Sequence, residues 1–597
     1  MDLRVLMSYI FLAGVALILA ISGSLAQDNL TTINVIQGNG PVSPLIGENV
    51  SVEAIVIGDF QGKDKLNGFY LQEEDSDTDN LAETSEGIFV YDPGELGKKE
   101  NISTGDIVQV TGVVKETFGL TQIKLSRITK VNETEKSCRV TILPITLPVE
   151  DTKFLERYEG MLVELPQEFI ITANENFTIF GQKTLSPSSR LPIPTSLSKP
   201  GPSAITLQTL NNRSKIILDD GSNKKNPDIG PFPQTLRSGD SVQGIIGILS
   251  YDFGEYRVHP LSIQKISTLN PRPDKPESVG GTIKIASFNV ENYFNGNGQG
   301  GGFQNSRGAK SQAEFERQRA KIFEAITDLD ADLIGLMEIE NDGYGELSAI
   351  QDLVNGLNAY KDKPNDVTYS FIDPGLQKLG VDDISVGIIY DSQKVRPIGK
   401  AATISTAAFS ATKRQPLAQT FEEIATEGKF TLVINHLKSK IPPRQGEVVD
   451  RDNDDKGDGQ GYFNGVRTRA VNDLITWMAN DPTRSGDCDY LVMGDMNSYS
   501  LEDPIISMKN AGYTNLVAAF VGPNAYTYVY DGQWGTLDYA LSNTNMTQQV
   551  TGATVWHINS DESKAFGYNG SWNSTDKYRS SDHDPVIVGL NLSSTTG

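Results

Sequence analysis

Asn289, Glu338, His436, Asp495, Asn497 and Asp538 follow one another along the chain, each at the end of a short apolar run, and Asp582 and His583 close the series just before the apolar Val586-Ile587-Val588. Ordered carboxylates, amides and two histidines suit one chemistry above others, the metal-assisted hydrolysis of a phosphodiester. That reaction needs a cation to offset phosphate charge, a water activated for attack, and an acid or cation at the leaving oxygen. Hard cations such as Mg²⁺ select carboxylate and water oxygens, and a positioned imidazole or carboxylate moves the proton. The whole chain holds four histidines, His259, His436, His557 and His583, and two of them fall in the set.

Positioning such groups requires strands that end side by side. Ile283–Val290, Asp332–Met337, Val386–Tyr390, Phe430–Ile434, Tyr490–Met493 and Leu537–Leu541 read as buried strands. Ser311–Asp328, Tyr344–Asn358 and Arg467–Met478 read as helices. This mixture predicts an α/β sandwich from 281 to 593. Upstream the texture is different: residues 32–145 and 146–268 alternate short β-rich runs with Gly-containing turns, the pattern of two small β-barrel modules. Gly105–Val114 and Gly239–Leu249 are alike in wording, which fits two related modules as well as a coincidence of strand composition. Residues 269–280, rich in Pro and charge, read as a linker.

The 597 residues are too many for one core, and the formal net charge of −24 argues against a passive, tight nucleic-acid binder. An enzyme meeting phosphate through a cation and a few local bases is still allowed, because net charge does not describe a site. Lys438 and Lys440 after His436, Arg467 and Arg469 in the next helix, and Arg414 and Arg579 are the candidate phosphate contacts. By position Asp383 is either a residue that orients His436 or a turn or capping residue. Residues 1–26 read as a secretory signal peptide: Arg4, an apolar stretch from Tyr9 to Ile21, then Ser24-Leu25-Ala26. The expected location is extracellular, with no membrane partner and no protein partner implied. Cys138 and Cys488 can pair or stay as thiols, and scattered Asn-x-Ser/Thr sequons suit an exposed surface. The acidic loops Glu73–Asp79 and Asp450–Asp458 are solvated excursions or calcium loops; the second does not have EF-hand spacing.

Gly494-Asp495-Met496-Asn497 after an apolar strand, with the terminal Ser581-Asp582-His583-Asp584-Pro585, resembles the endonuclease/exonuclease/phosphatase superfamily, the deoxyribonuclease-I-like fold, from Gly281 to about Leu592. The wording around Phe288-Asn289-Val290-Glu291-Asn292 and Leu336-Met337-Glu338-Ile339-Glu340-Asn341 is similar to large secreted bacterial nucleases of the ExeM/NucH type. In those proteins oligonucleotide-binding-fold-like modules precede the nuclease. The resemblance implies an α+β chain with a four-layer α/β sandwich behind two such β modules.

By motif, the resemblance makes Glu338 and Asp582 the metal carboxylates and Asn289 the amide near metal and phosphate. Asp495 and Asn497 orient water and phosphate, Asp538 holds His583, and His436 lies near the leaving group; the general base is Asp495 or His583. The expected cofactor is a divalent cation, Mg²⁺ or Mn²⁺, with Ca²⁺ as a structural or co-activating ion. The expected substrate is DNA, with RNA as a second class. The alternatives are a phosphoesterase of the same fold for a small or lipid phosphate, and a non-catalytic secreted binding protein. Related nucleases often carry cysteines around the 450–458 loop, and this chain has none there.

Overall fold

The computed structural model describes residues 29–131, 139–225, 232–364, 367–444 and 449–593. Two compact units result. One runs through the first module to Leu143 and takes in Leu155–Val163 and Ile248–Gly254; the other contains Pro144–Phe154, Glu164–Gly247 and everything from Glu255 onward. The signal-peptide segment 1–26 and Cys138 lie outside the described residues.

The first module is a closed barrel of Asn49–Phe60, Gly68–Gln72, Gly87–Tyr91, Leu120–Lys130 and Ile107–Thr117, in that order around the ring. Its inward residues, among them Val52, Ala54, Val56, Phe69, Leu71, Val108 and Val110, are buried, as alternation along each strand requires. The middle sheet runs Ser241–Asp252, Glu255–Ser267, Ile216–Leu218, Lys183–Pro187, Leu162–Ala173 and Leu143–Pro144, and a further pairing of Ser241–Asp252 with Leu162–Ala173 joins it into a ring.

The likeness of the two Gly-Asp segments is structural. Gly105 N–H donates to the Val56 carbonyl, while Val56 N–H donates to Asp106 O; Gly239, Ile171 and Asp240 repeat both bonds. Asp106 and Asp240 each accept from the backbone N–H three residues earlier, Ser103 and Arg237, and both glycines have positive φ, +94° and +98°.

The C-terminal domain holds two six-stranded sheets. The first runs Tyr369–Phe371, Ile384–Asp391, Leu333–Glu340, Ile283–Tyr293, Val586–Leu590, Val550–Val555; the second runs Val395–Ala402, Leu417–Glu423, Lys429–His436, Tyr490–Asp495, Asp538–Ser542, Thr514–Asn515. A core of Ile285, Met337, Ile388, Leu432, Ile434, Leu491 and Met493 lies between them. Helices Gln312–Leu329 and Ala349–Ala359 cover the outer face of the first sheet, and Asn464–Met478 covers that of the second. The result is the four-layer sandwich.

Most strands run one to three residues further than their apolar runs, because the polar ends stay in register with their neighbours. The helix expected over Tyr344–Asn358 begins only at Ala349. Ser348 caps it, accepting from Gln351 N–H, and Asp342 accepts from Ala349 N–H, so 344–347 form the approach turn.

Candidate active site

Register builds the second sheet's contribution. His436 pairs beside Asp495 across parallel strands, and Asp495 pairs beside Asp538 across antiparallel ones, which puts three functional residues in one row. Gly494 makes this row possible: its φ is +122° and an added Cβ would lie 2.1 Å from the Asn435 carbonyl oxygen. Beyond the row, Asn497 N–H donates to Asp495 Oδ1 at 2.8 Å and Asn497 Nδ2 donates to the Leu437 carbonyl at 3.0 Å, tying two strand ends together.

His583 reaches this row from the loop that leads into Val586–Leu590 of the first sheet. Its Nδ1 lies 2.7 Å from Asp538 Oδ2, which also accepts from Thr527 Oγ1 at 2.7 Å. A carboxylate only accepts, so Nδ1 carries the proton and Nε2 is the working nitrogen, 3.9 Å from Asp495 Oδ2. Burial opposes a charge on His583, yet Asp538, Asp582 and Asp495 together raise its pKa well above the ordinary value. Burial raises the pKa of Asp495 against the lowering effect of His583. Asn559 fixes the loop: its Nδ2 donates to the His583 carbonyl at 2.7 Å, and its Oδ1 accepts from Ser581 N–H at 3.3 Å. Tyr528 stacks on the His583 ring with centroids 4.5 Å apart.

The first sheet supplies the acids. Pairing of Leu333–Glu340 with Ile384–Asp391 slips between Met337 and Ile339, and Glu338 occupies the slip at φ +64°, a left-handed conformation that turns it out of the sheet. Its Oε1 comes within 3.9 Å of His436 Nε2, bridging the two sheets. Burial and then Asp582 raise the Glu338 pKa. The neighbouring strand shifts register between Asn289 and Tyr293, and Glu291 in that shift has φ +48°. Burial and then Asp582 raise Glu291 as well. Asn289 is buried; its Oδ1 accepts from Glu291 N–H at 3.1 Å while its Nδ2 is buried without a partner. Glu338 and Glu291, both raised by burial and then by Asp582, form with it an oxygen donor set with excess negative charge, which fits a hard divalent cation, and the unpartnered Asn289 Nδ2 is a donor beside them. Asp495, Asp538 and His583 also bring ligand-type atoms within 4.8 Å of one another, but the Asp538–His583 hydrogen bond already engages two of these groups.

His436 is the neutral member. Arg414 Nη1 lies 2.8 Å from its Nε2, and a guanidinium can only donate, so Nε2 accepts. Burial, then Arg414, His583 and Arg307, hold the His436 pKa well below the ordinary value. The expected orienting role of Asp383 is not met: Asp383 is exposed, its carbonyl accepts from Asn341 N–H, and His436 Nδ1 has no hydrogen-bond partner. Asp382 acts there instead, through Arg414, whose Nε donates to its Oδ2 at 3.0 Å.

The basic candidates divide. Arg414 touches His436, and Arg579 lines the cleft beside Asp582 with φ +61°. Arg467 is fully buried and donates to Ser498 Oγ and to the carbonyls of Lys438, Tyr462 and Gln460, so it is a strut and not a phosphate contact. Arg469 is exposed and faces Asp450 and Asp452 at 4.0 and 3.6 Å, away from the cluster. Lys438 lies over the Phe463 ring at 4.7 Å, and Lys440 is tied to Glu502 and the Gln460 carbonyl. Glu291, Arg307, Asp382, Thr527 and Tyr528 were not singled out in the sequence. Glu291 alone carried a signal, two residues past Asn289 in the same polar strand end.

Asp584 is structural, accepting from Asn559 and Ser560 N–H and from His557 Nδ1 at 2.9 Å. His259 lies 3.5 Å from Asp219, remote from the cluster in sequence and partners. Among the described residues, the groups of three metal-type ligands are that of Asp495 and a second of Glu73, Glu74 and Asp77; the 450–458 loop contributes none. Cys488 is exposed.

The endonuclease/exonuclease/phosphatase family model matches residues 286–583, spanning the whole cluster from strand to terminal histidine. The C-terminal domain belongs to this superfamily. Its members are phosphodiesterase and phosphatase hydrolases, and the C-terminal domain is a superfamily hydrolase domain. Residues 144–268 match a domain of unknown function, DUF8508. Among solved structures, the human Nocturnin catalytic domain with bound sulfate is similar at 16% identity and TM-score 0.33, covering 53% of this chain and 94% of that one. Zebrafish TDP2 complexed with a single-strand DNA product is similar at 14% identity and TM-score 0.32, covering 52% and 99%. A Bacteroides thetaiotaomicron mannosyl-6-phosphatase is similar at 13% identity and TM-score 0.32, covering 52% and 100%. No curated protein matches the chain.

Proposed function

We propose that this protein is a secreted, divalent-metal-dependent nuclease of the ExeM/NucH type that hydrolyses phosphodiester bonds of extracellular DNA, with RNA as a second substrate. The observation that carries this reading is the division of labour in the buried cluster. Glu338, Glu291 and Asp582 form an acid set that needs a cation, while His583 is held charged by Asp538 and His436 is held neutral by Arg414. Glu338, Asp582 and Asn289 are the groups to hold the ion, with Glu291 beside them. Mg²⁺ or Mn²⁺ bound there would neutralise phosphate charge and lower the pKa of a bound water. His583 Nε2 and Asp495 face each other across 3.9 Å, where a water could be oriented by the imidazolium and its proton taken up by Asp495. Arg414, with His436, supplies donors to a phosphate or leaving oxygen. The leader-like segment at 1–26 supports export.

Purified protein lacking residues 1–26 would be incubated with plasmid DNA, RNA, a phosphomonoester and bis(4-nitrophenyl) phosphate, with Mg²⁺, Mn²⁺, Ca²⁺ plus Mn²⁺, or chelator. DNA cleavage with Mg²⁺ or Mn²⁺ and its loss in chelator is the expected result. Phosphomonoester turnover without DNA cleavage would establish a small-phosphate enzyme, and inertness on every substrate a binding protein.

A further inference from the structure

Apart from Leu155–Val163 and Ile248–Gly254, the DUF8508 module belongs to the same compact unit as the hydrolase domain, and their contacts land beside Asn559, which holds the His583 loop. Leu191–Pro192 of the module pairs as a parallel strand with Gln533–Gly535, extending the hairpin that carries Tyr528. Arg190 forms an ion pair with Asp561 at 2.8 Å, Arg237 one with Glu562 at 2.7 Å, and Asn174 Nδ2 donates to the Leu236 and Asp561 carbonyls. Arg237, Asp561 and Glu562 are all buried. Charges desolvated in matched pairs fix one arrangement, because any slip leaves an ion buried without its partner.

This docking encloses a cleft of about 300 Å³. Ala173, Asn174 and Glu175 of the module form one wall; Tyr528, Lys564, Arg579, Glu291 and Asp582 face it from the hydrolase domain. The cleft therefore opens directly onto the acid set. Its lining is polar and its volume sits at the low end of the roughly 300–1,000 Å³ typical of small-ligand clefts. At that volume the cleft takes one sugar–phosphate unit of a strand at a time. Lys564 and Arg579 supply phosphate donors. Glu175 pairs with Lys564 at 3.2 Å across the cleft, both side chains near half exposed. Such a pair is held weakly and a phosphate can displace the carboxylate.

We propose that the DUF8508 module is a fixed wall of a substrate subsite, receiving the sugar–phosphate unit next to the scissile bond, with Glu175 and Lys564 setting how tightly that unit is held. This rests on the nuclease reading above. The test compares kcat/KM for a short single-stranded oligonucleotide, which has a neighbouring unit, with that for bis(4-nitrophenyl) phosphate, which has none. Glu175→Trp fills the cleft from the module side and should lower the oligonucleotide-to-diester ratio at least about tenfold. Glu175→Gln, nearly isosteric, frees Lys564 and should lower the oligonucleotide KM about threefold at low salt, a gain lost in the Glu175→Gln/Lys564→Ala protein. Both Glu175 variants keeping the wild-type ratio and KM would overturn the subsite alone. Wild-type protein that cleaves the diester but no polynucleotide would overturn the nuclease reading together with it.

Discussion

Asp538→Asn isolates what the carboxylate does for His583. Asparagine keeps the size of aspartate and can still accept through its oxygen from His583 Nδ1 and Thr527 Oγ1, which now lie at 2.7 Å each. What it removes is the negative charge beside a fully buried imidazole whose pKa is held up by that charge after burial has pushed it down. A positioned proton-transfer group contributes about 10²–10⁴-fold to the rate, and losing the charge that sets the protonation of His583 should remove the lower end of this, roughly a 10²-fold fall in kcat/KM or about 2.7 kcal/mol. The assay is initial-rate hydrolysis of bis(4-nitrophenyl) phosphate and of supercoiled plasmid with saturating Mg²⁺. Far-ultraviolet circular dichroism is measured in parallel to show that the fold persists. The decisive arm is the cycle with His583→Ala: if Asp538 works only through His583, Asp538→Asn adds nothing in that background. Asp538→Asn within about threefold of wild type, or a double variant whose losses simply add, would refute the dyad.

Arg467→Ala should lower stability by about 3–5 kcal/mol, seen as a fall in Tm, because three carbonyls and Ser498 Oγ lose a buried donor; KM for DNA should stay within about twofold. A large rise in KM at unchanged Tm would restore Arg467 as a phosphate contact. Arg414→Lys keeps the charge but not the fork that reaches Asp382, His436 and the Leu437 carbonyl together, so kcat/KM should fall about tenfold, measured on the same substrates. In the first module, burial raises Glu73 from 4.5 to about 8, with Glu86, Glu74 and Asp77 adding to it against the Ile33 N–H bond. The folded state then holds a proton that the unfolded state has released between those values. Stability is full below about pH 4.5, falls as pH rises, and levels off above about 8, by a few kcal/mol at most. Thermal melts from pH 5 to 8 should show this decline, and Glu73→Gln should flatten it.

Strand ends were the legible part of the site. Asn289, Glu338, His436, Asp495 and Asp538 were visible because an apolar run stopping at a polar residue has a geometric meaning in a sheet. The row from His436 to Asp538 follows from register once the strands are paired. The partner of His436 was not legible, since it depends on which of two adjacent aspartates, 382 or 383, faces inward after a turn. Arg467 was misread because a helix-opening arginine after two lysines looks like a basic patch, and only packing shows that Asn464–Met478 turns it inward. Leu191–Pro192 lay in a Ser- and Pro-rich stretch without strand periodicity; its pairing partner is Gln533-Trp534, more than 300 residues away, and no local pattern encodes that.

The overall acidity and the proposed polyanionic substrate are reconciled by where the charges go. Asp561 and Glu562 are neutralised by Arg190, Arg237 and Arg272, three arginines drawn from the module and the linker. Asp561 lies two residues from Asn559, and Asn559 holds both the His583 carbonyl and Ser581 N–H. The extended hairpin reaches the same histidine from the other side, through the Tyr528 stack and the Thr527–Asp538 bond. Both supports of the Asp538–His583 dyad are thus braced by contacts the hydrolase domain does not make alone. Tolerances at a proton-transfer site are a fraction of an ångström, so a module with no catalytic group of its own still bears on the rate.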